Sequence, residues 1–175
     1  LVCALVTSSL AARLKREAAK GESESRYMQI LFDINRNLRK GSTGEVILDI
    51  CGRLVRTLLK RNIAIYDTRN GKMDQMKIYP ASESEDSARL TGLFKSPDEM
   101  AVAAWVRKNR HKAGATTDTL PGARARYTPV YKNDKVYAVI GVELEGGDMI
   151  KPNDKNVLNI IAEETSYRLG DMGHR

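Results

Sequence analysis

Between Val46 and Leu59, apolar residues return every three or four positions. Val46, Ile47, Ile50, Cys51, Leu54, Val55, Leu58 and Leu59 follow the helical period, and Asp49, Arg53, Arg56 and Lys60 take the other face. That is the pattern of a helix laid against a core. Just before it, Ser42-Thr43-Gly44-Glu45 fits a capping box, in which hydroxyl and acid satisfy the first free backbone N–H groups. A longer helix is predicted upstream, over about Leu5 to Leu38. Tyr27, Ile30, Leu31, Ile34 and Leu38 form a stripe in its second half, and Lys40-Gly41 ends it. Its middle, Lys20-Gly21-Glu22-Ser23-Glu24-Ser25, is polar and contains a glycine, which predicts a bend.

Downstream the period shortens. Asn62 to Asp67 and Met73 to Tyr79 read as strands joined through Asn70-Gly71, a tight-turn signal that requires antiparallel pairing. Pro80 to Lys95, rich in serine and acid, is expected to be a mobile loop with a short strand around Arg89 to Leu93. Ser96 then offers an N-cap oxygen, Pro97 suits the first helical turn, and Asp98 and Glu99 meet the positive end of the dipole. In this helix Ala101, Ala104, Trp105 and Lys108 share a face, which assigns Trp105 to the core. Arg126 to Tyr131 and Val136 to Leu144 form a second hairpin around Lys132-Asn133-Asp134-Lys135. A last helix starts near Asn153 or Asp154, carries Val157, Leu158, Ile160, Ile161 and Leu169, and fades at Gly170 and Gly173. Terminal helices, hairpins between them and one helix before the last hairpin describe an α+β fold, an antiparallel sheet with helices on its faces and a long N-terminal helix.

Between the second-last helix and the second hairpin the order of residues is more specific. Ala101 and Trp105 stand four apart, Ala113-Gly114 follows, and then Thr117-Asp118-Thr119-Leu120-Pro121-Gly122. This run resembles the sensory domain of KdpD-type histidine kinases, and the resemblance extends over roughly Leu5 to Leu169. It implies a GAF domain between the last transmembrane helix and the kinase core of a bacterial sensor of potassium supply. The outline alone fits GAF and PAS modules; helices flanking the strands favour GAF, and the TDTLPG run decides it. One departure is visible, since the family usually has glycine where this chain has Thr116, and threonine disfavours positive φ. The resemblance divides the chain into a membrane-helix end and signalling helix (1–40), a GAF-like sensory domain (41–170) and a disordered tail (171–175).

Composition adds four constraints. Hydrophobic residues at 42% and charged ones at 29% of 175 residues describe one ordinary domain with an extension. The net charge of +7 is compatible with nucleic acid, an anionic membrane surface or scattered solvated cations. Basic residues interleaved with aromatics, which single-strand binders use for stacking, are absent, and nucleic acid ranks last. Leu1 to Leu10 is apolar but about half of what a bilayer requires, and Arg13, Lys15, Arg16 and Lys20 follow it. Apolar first and basic second is the order at the cytoplasmic exit of a membrane helix. The competing reading is an amphipathic helix whose first turns pack on a neighbour; the family resemblance favours the membrane exit, with these four cations at an anionic membrane surface. Cys3 and Cys51 form no metal or disulfide motif, and Cys51 reads as a buried structural thiol.

Chemistry of the chain's own is not predicted. His111 lies in the basic cluster Arg107-Lys108-Arg110-His111-Lys112 and His174 in the tail, neither beside a carboxylate in sequence. No catalytic residue and no metal ligand is assigned, and no cofactor is expected in this segment; the resemblance implies ATP for a kinase core and a response regulator as its partner. For ligand binding, Thr116, Thr117, Asp118 and Thr119 supply donors and an acceptor, and Arg124 and Arg126 could neutralise an anion. The alternative is that Asp118 and the threonines satisfy the loop's own backbone, with Asp118 accepting N–H bonds. Counting heptads from Cys3 gives a seam of Cys3, Val6, Leu10, Arg13, Glu17, Lys20, Glu24, Tyr27, Leu31, Ile34 and Leu38, which predicts a parallel homodimer. The expected function is a cytoplasmic relay in a membrane sensor kinase of a two-component system controlling potassium uptake. A freestanding small-molecule-binding GAF or PAS regulator is the alternative.

Overall fold

Two hairpins and one short edge strand build a five-stranded sheet. The structure, a computed structural model, describes residues 2–146 and 148–172. It falls into two units, residues 1–36 and 37–175.

The first unit belongs to α1, Val2–Leu38. The helix is unbroken through Gly21 and Ser25, so the polar stretch that predicted a bend does not interrupt it. Leu14, Met28 and Phe32 are exposed, at 61%, 64% and 65%, whereas Ile34 and Leu38 are buried. The heptad seam counted from Cys3 therefore ends in side chains already withdrawn from solvent. Its earliest positions, Cys3, Val6 and Leu10, lie outside the described side chains. Among the described residues, no helix is long and apolar enough to cross a membrane.

In the second unit, α2 (Gly44–Leu59) starts at Thr43, whose Oγ1 accepts from Val46 N at 3.3 Å, one residue later than the predicted box. It buries Ile47, Leu48, Cys51, Val55 and Leu59. β1 (Ile63–Asp67) and β2 (Gln75–Tyr79) pair antiparallel as expected. The expected loop with a strand at Arg89–Leu93 is instead a helix, α3 (Ser87–Phe94). Asp86 caps it by accepting from Ala88 N and Arg89 N, and Leu90, Leu93 and Phe94 are buried at helical spacing. α4 (Pro97–Asn109) begins at Ser96 as predicted. Its buried face is Glu99, Val102, Ala103 and Val106; Ala101 and Ala104 are exposed, and Trp105 is only partly covered.

A two-residue strand, β3 (Ala113–Gly114), precedes β4 (Ala125–Lys132) and β5 (Lys135–Glu143). Asn133 and Asp134 both have positive φ, 47° and 66°, which gives the tight β4–β5 turn the hand that matches strand twist. The sheet order is β2-β1-β5-β4-β3, antiparallel throughout. α5 (Pro152–Met172) runs two residues beyond Gly170, into the stretch expected to be tail; residues 173–175, with His174, lie outside the described residues. One face of the sheet packs Tyr66, Tyr127 and Val139 against Phe94, Val102 and Val106 of α3 and α4. α2 and α5 contact each other and the sheet, α5 through β4.

Candidate functional site

Gly114 opens the loop that the sequence singled out. Its φ is +95°, and a side chain there would drive a Cβ to 2.2 Å from the Ala125 carbonyl oxygen. Thr116 has φ +60°, so threonine occupies the left-handed conformation for which the resembling family supplies glycine. Thr117 holds the loop together: its hydroxyl lies 2.7 Å from Gly114 O and 2.8 Å from Thr119 O, and accepts from Thr119 N at 3.2 Å. Asp118, expected to accept those backbone bonds, is exposed and makes no hydrogen bond among the described residues. The threonine wins because its hydroxyl both donates and accepts, and the loop carries carbonyls to be satisfied as well as N–H groups.

A buried carboxylate fastens the far end of this loop to α4. Glu99 is 3% exposed. Its Oε1 accepts from Arg124 N at 2.7 Å, and its Oε2 accepts from Ala125 N at 3.2 Å and from the Tyr127 hydroxyl at 2.6 Å. Burial, the neighbouring Tyr66 and the Glu99 carboxylate raise the Tyr127 phenol well above its ordinary range. Tyr66 stacks obliquely on Tyr127 with centroids 6.1 Å apart and donates to Phe94 O at 2.7 Å. In the sequence Glu99 stands out only as a partner of the helix dipole. The signal that could have found it was the stripe Glu99, Val102, Ala103, Val106, whose period places the acid in line with the core.

A second pair also went unread. Glu143 ends β5, 4% exposed, and receives Arg89 of α3 through bonds of 2.7 and 3.1 Å. Asn62 donates to it at 2.8 Å and accepts from Ala81 N at 2.7 Å. Burial alone would raise the Glu143 carboxyl, but the hydrogen bonds from Arg89 and Asn62 outweigh it and hold the pKa below the usual range. Two neighbouring cavities share Arg89 and Arg124 on their walls. One, about 670 Å³, adds Thr116, Glu143 and Leu144; the other, about 610 Å³, adds Leu93, Glu99 and Leu120.

Of the six residues predicted to bind a ligand, only Thr116 and Arg126 meet through their side chains. Arg126 Nη1 donates to Thr116 O and reaches Thr116 Oγ1, each at 3.2 Å. Arg126 is 3% exposed, no carboxylate among the described residues pairs with it, its Nε is unpartnered, and burial lowers its pKa. Thr117 and Thr119 serve the loop, while Asp118 and Arg124 are exposed. Arg13, Lys15, Arg16 and Lys20 are exposed on α1. Cys51 is a fully buried free thiol, pushed up to about 11 by burial. Among the described residues no group of three or more His, Cys, Asp or Glu could hold a metal ion.

A five-stranded antiparallel sheet with α3 and α4 over one face and α2 and α5 on the chain's helical layer is the fold of a GAF domain. No family model matches the chain. The resemblance to KdpD-type sensors stands: the chain is 25% identical over 171 residues to the sensor protein KdpD of Clostridium acetobutylicum, covering 97% of this chain. It spans 18% of that protein's length. Among solved structures, it is similar to the GAF domain of the potassium sensor histidine kinase KdpD from Escherichia coli, with TM-score 0.58 and 20% identity over 84% of this chain and 95% of that one. The GAF domain of a phosphoenolpyruvate-protein phosphotransferase from Acinetobacter gives TM-score 0.54 at 16% identity, over 84% and 94% of the two chains.

Proposed function

We propose that this chain is the cytoplasmic relay domain of a membrane-anchored, KdpD-like sensor histidine kinase that acts through a response regulator on potassium uptake. The observation that carries this is the similarity to a KdpD sensor protein over nearly the whole chain, joined to the GAF fold. The relay has a plain physical form. α1 comes first in the chain and α5 last, and α2, α5 and the sheet pack together, which couples the strands to the last helix. The α1 cations Arg13, Lys15, Arg16 and Lys20 suit an anionic membrane surface. ATP belongs to the kinase core rather than to this segment.

The domain works as a homodimer through α1, in a register one residue removed from the seam counted from Cys3. Leu14, Ala18, Gly21, Ser25, Met28 and Phe32 follow heptad spacing and are all exposed. The experiment for the whole reading is direct. The full-length protein carrying this segment, reconstituted in lipid vesicles, should phosphorylate itself from ATP at a rate that changes with potassium concentration. A protein that takes up no phosphate, or does so identically at all potassium concentrations, would contradict it.

A further inference from the structure

Two residues of the loop between β3 and β4 hold backbone conformations that their side chains disfavour. Thr116 is β-branched and stands at φ +60°. Leu120 stands at φ +53° directly before Pro121, a place where extended backbone at negative φ is the rule. Such outliers persist only where the surrounding structure imposes them, and they gather at clamps and switches. At position 116 the strain is this chain's own, because the resembling family usually has glycine there. Leu120 is also 46% exposed, a large apolar side chain in water beside a cavity walled by Leu93, Val102 and Ala123.

The contacts that impose this strain gather at the roots of the loop. Arg126 of β4 reaches Thr116 O and Oγ1 at 3.2 Å each, and Gly114 N donates to Thr119 O at 2.8 Å. Ala115 N donates to Ala125 O at 3.0 Å, and the Thr117 hydroxyl closes the turn. Arg126 holds Thr116 at a cost of its own, since it is buried and no carboxylate among the described residues compensates its charge. At the far root Glu99 fixes Arg124 and Ala125 to α4. The tip between these roots is loose. Leu120, Pro121 and Gly122 are exposed, a turn bond of 3.3 Å from Ala123 N to Leu120 O spans them, and a Cβ added at Gly122 would meet nothing within 4 Å. Gly122 and Ala123 line both neighbouring cavities.

We propose that residues 116–123 are a strain-loaded gate between these two cavities, latched by Arg126 in the position they hold in this structure. Releasing the two bonds to Thr116 lets the backbone at Thr116 and Leu120 return to negative φ. It also lets the Leu120 side chain turn into the cavity beside it, where its apolar surface is covered. Gly122 and Ala123 move with the tip and reshape the wall that the cavities share. The gate is independent of the sensor-kinase reading, and its test needs neither potassium nor a kinase core.

Amide hydrogen exchange of the 175-residue chain, followed residue by residue by nuclear magnetic resonance, tests it. The amides of Gly114, Thr117, Thr119 and Ala123 report on the gate, and those of Val139 and Ile140 in β5 report on the fold as a whole. Thr116→Gly and Leu120→Gly relieve the strain and should slow exchange of the gate amides about tenfold or more, with β5 unchanged. Thr116→Ala and Leu120→Ala keep a Cβ at positive φ and should leave the rates close to wild type. Glycine loosens an ordinary loop, so the sign of the change is the test. Arg126→Met removes the latch and should speed the gate amides about tenfold or more. The β5 amides should keep their rates in that variant, because an apolar side chain takes the place of an uncompensated buried cation. Gate amides that exchange as fast as wild type or faster in both glycine variants, or that respond to Arg126→Met only in step with β5, would overturn the proposal.

Discussion

Two carboxylates show how much a single side chain decides in this domain. Glu99 satisfies two backbone N–H groups and the Tyr127 hydroxyl from a buried position. Removing it strands three donors rather than one. Glu99→Ala should therefore lower stability by about 3–5 kcal/mol, where a typical lost hydrogen bond costs about 1 kcal/mol. Urea unfolding of the two proteins measures it, and a difference below about 1 kcal/mol would contradict the assigned role. Asp49 of α2 makes a different, pH-dependent contribution. Partial burial pushes its carboxyl up, yet bonds from Lys77, Arg53 at 2.7 Å and Tyr79 at 3.0 Å bring it from 3.8 down to about 2. A depressed carboxyl stabilises the fold above its unfolded pKa and loses that contribution as the pH falls through the folded value. Asp49→Asn should thus be less stable than wild type at pH 6, with the gap closing between about pH 4 and pH 2. Because the pair is solvent-screened, the gap at pH 6 should be no more than about 1 kcal/mol. A gap that persists at pH 2 would mean that shape rather than charge is at work.

At the scale of elements, legibility followed period and caps. α2 was readable because its apolar stripe is regular and Thr43 caps it, and β4–β5 because a β-prone run faces a turn that tolerates positive φ. α3 was missed for a physical reason. Asp86 and Ser87 read as loop composition when the acid is in fact an N-cap, and eight residues give too few turns for the period of Leu90, Leu93 and Phe94 to stand out. The face of α4 was misread because alanines are compatible with either side of a helix. The TDTLPG loop was located correctly, but the bonds within it depend on Thr117 and on Glu99 from another element, a long-range pairing that no local pattern encodes.

The same scale holds the prediction for α1. Under the dimer proposal, Phe32→Lys should give a folded monomer, since Phe32 is 65% exposed in the single chain and Lys is tolerated there. Leu38→Lys should instead unfold the domain, since Leu38 is 1% exposed and a buried charge costs several kcal/mol. Light scattering together with far-ultraviolet circular dichroism distinguishes the outcomes. Wild-type chain that stays monomeric at high concentration would end the dimer proposal.

For the molecule as a whole, the central claim is that this GAF domain stands between a membrane helix and a kinase core and passes a signal from one to the other. In chain order α1 comes first, α5 last, and the strands of the sheet lie between them in sequence. The most direct measurement exchanges this chain for the matching segment of the Clostridium acetobutylicum sensor protein, over the 171 aligned residues. Potassium-dependent autophosphorylation of the exchanged protein is then followed in lipid vesicles. A relay domain of the same kind should preserve a response to potassium, altered in set point but present. Folded, membrane-inserted protein whose phosphorylation no longer changes with potassium would contradict the account.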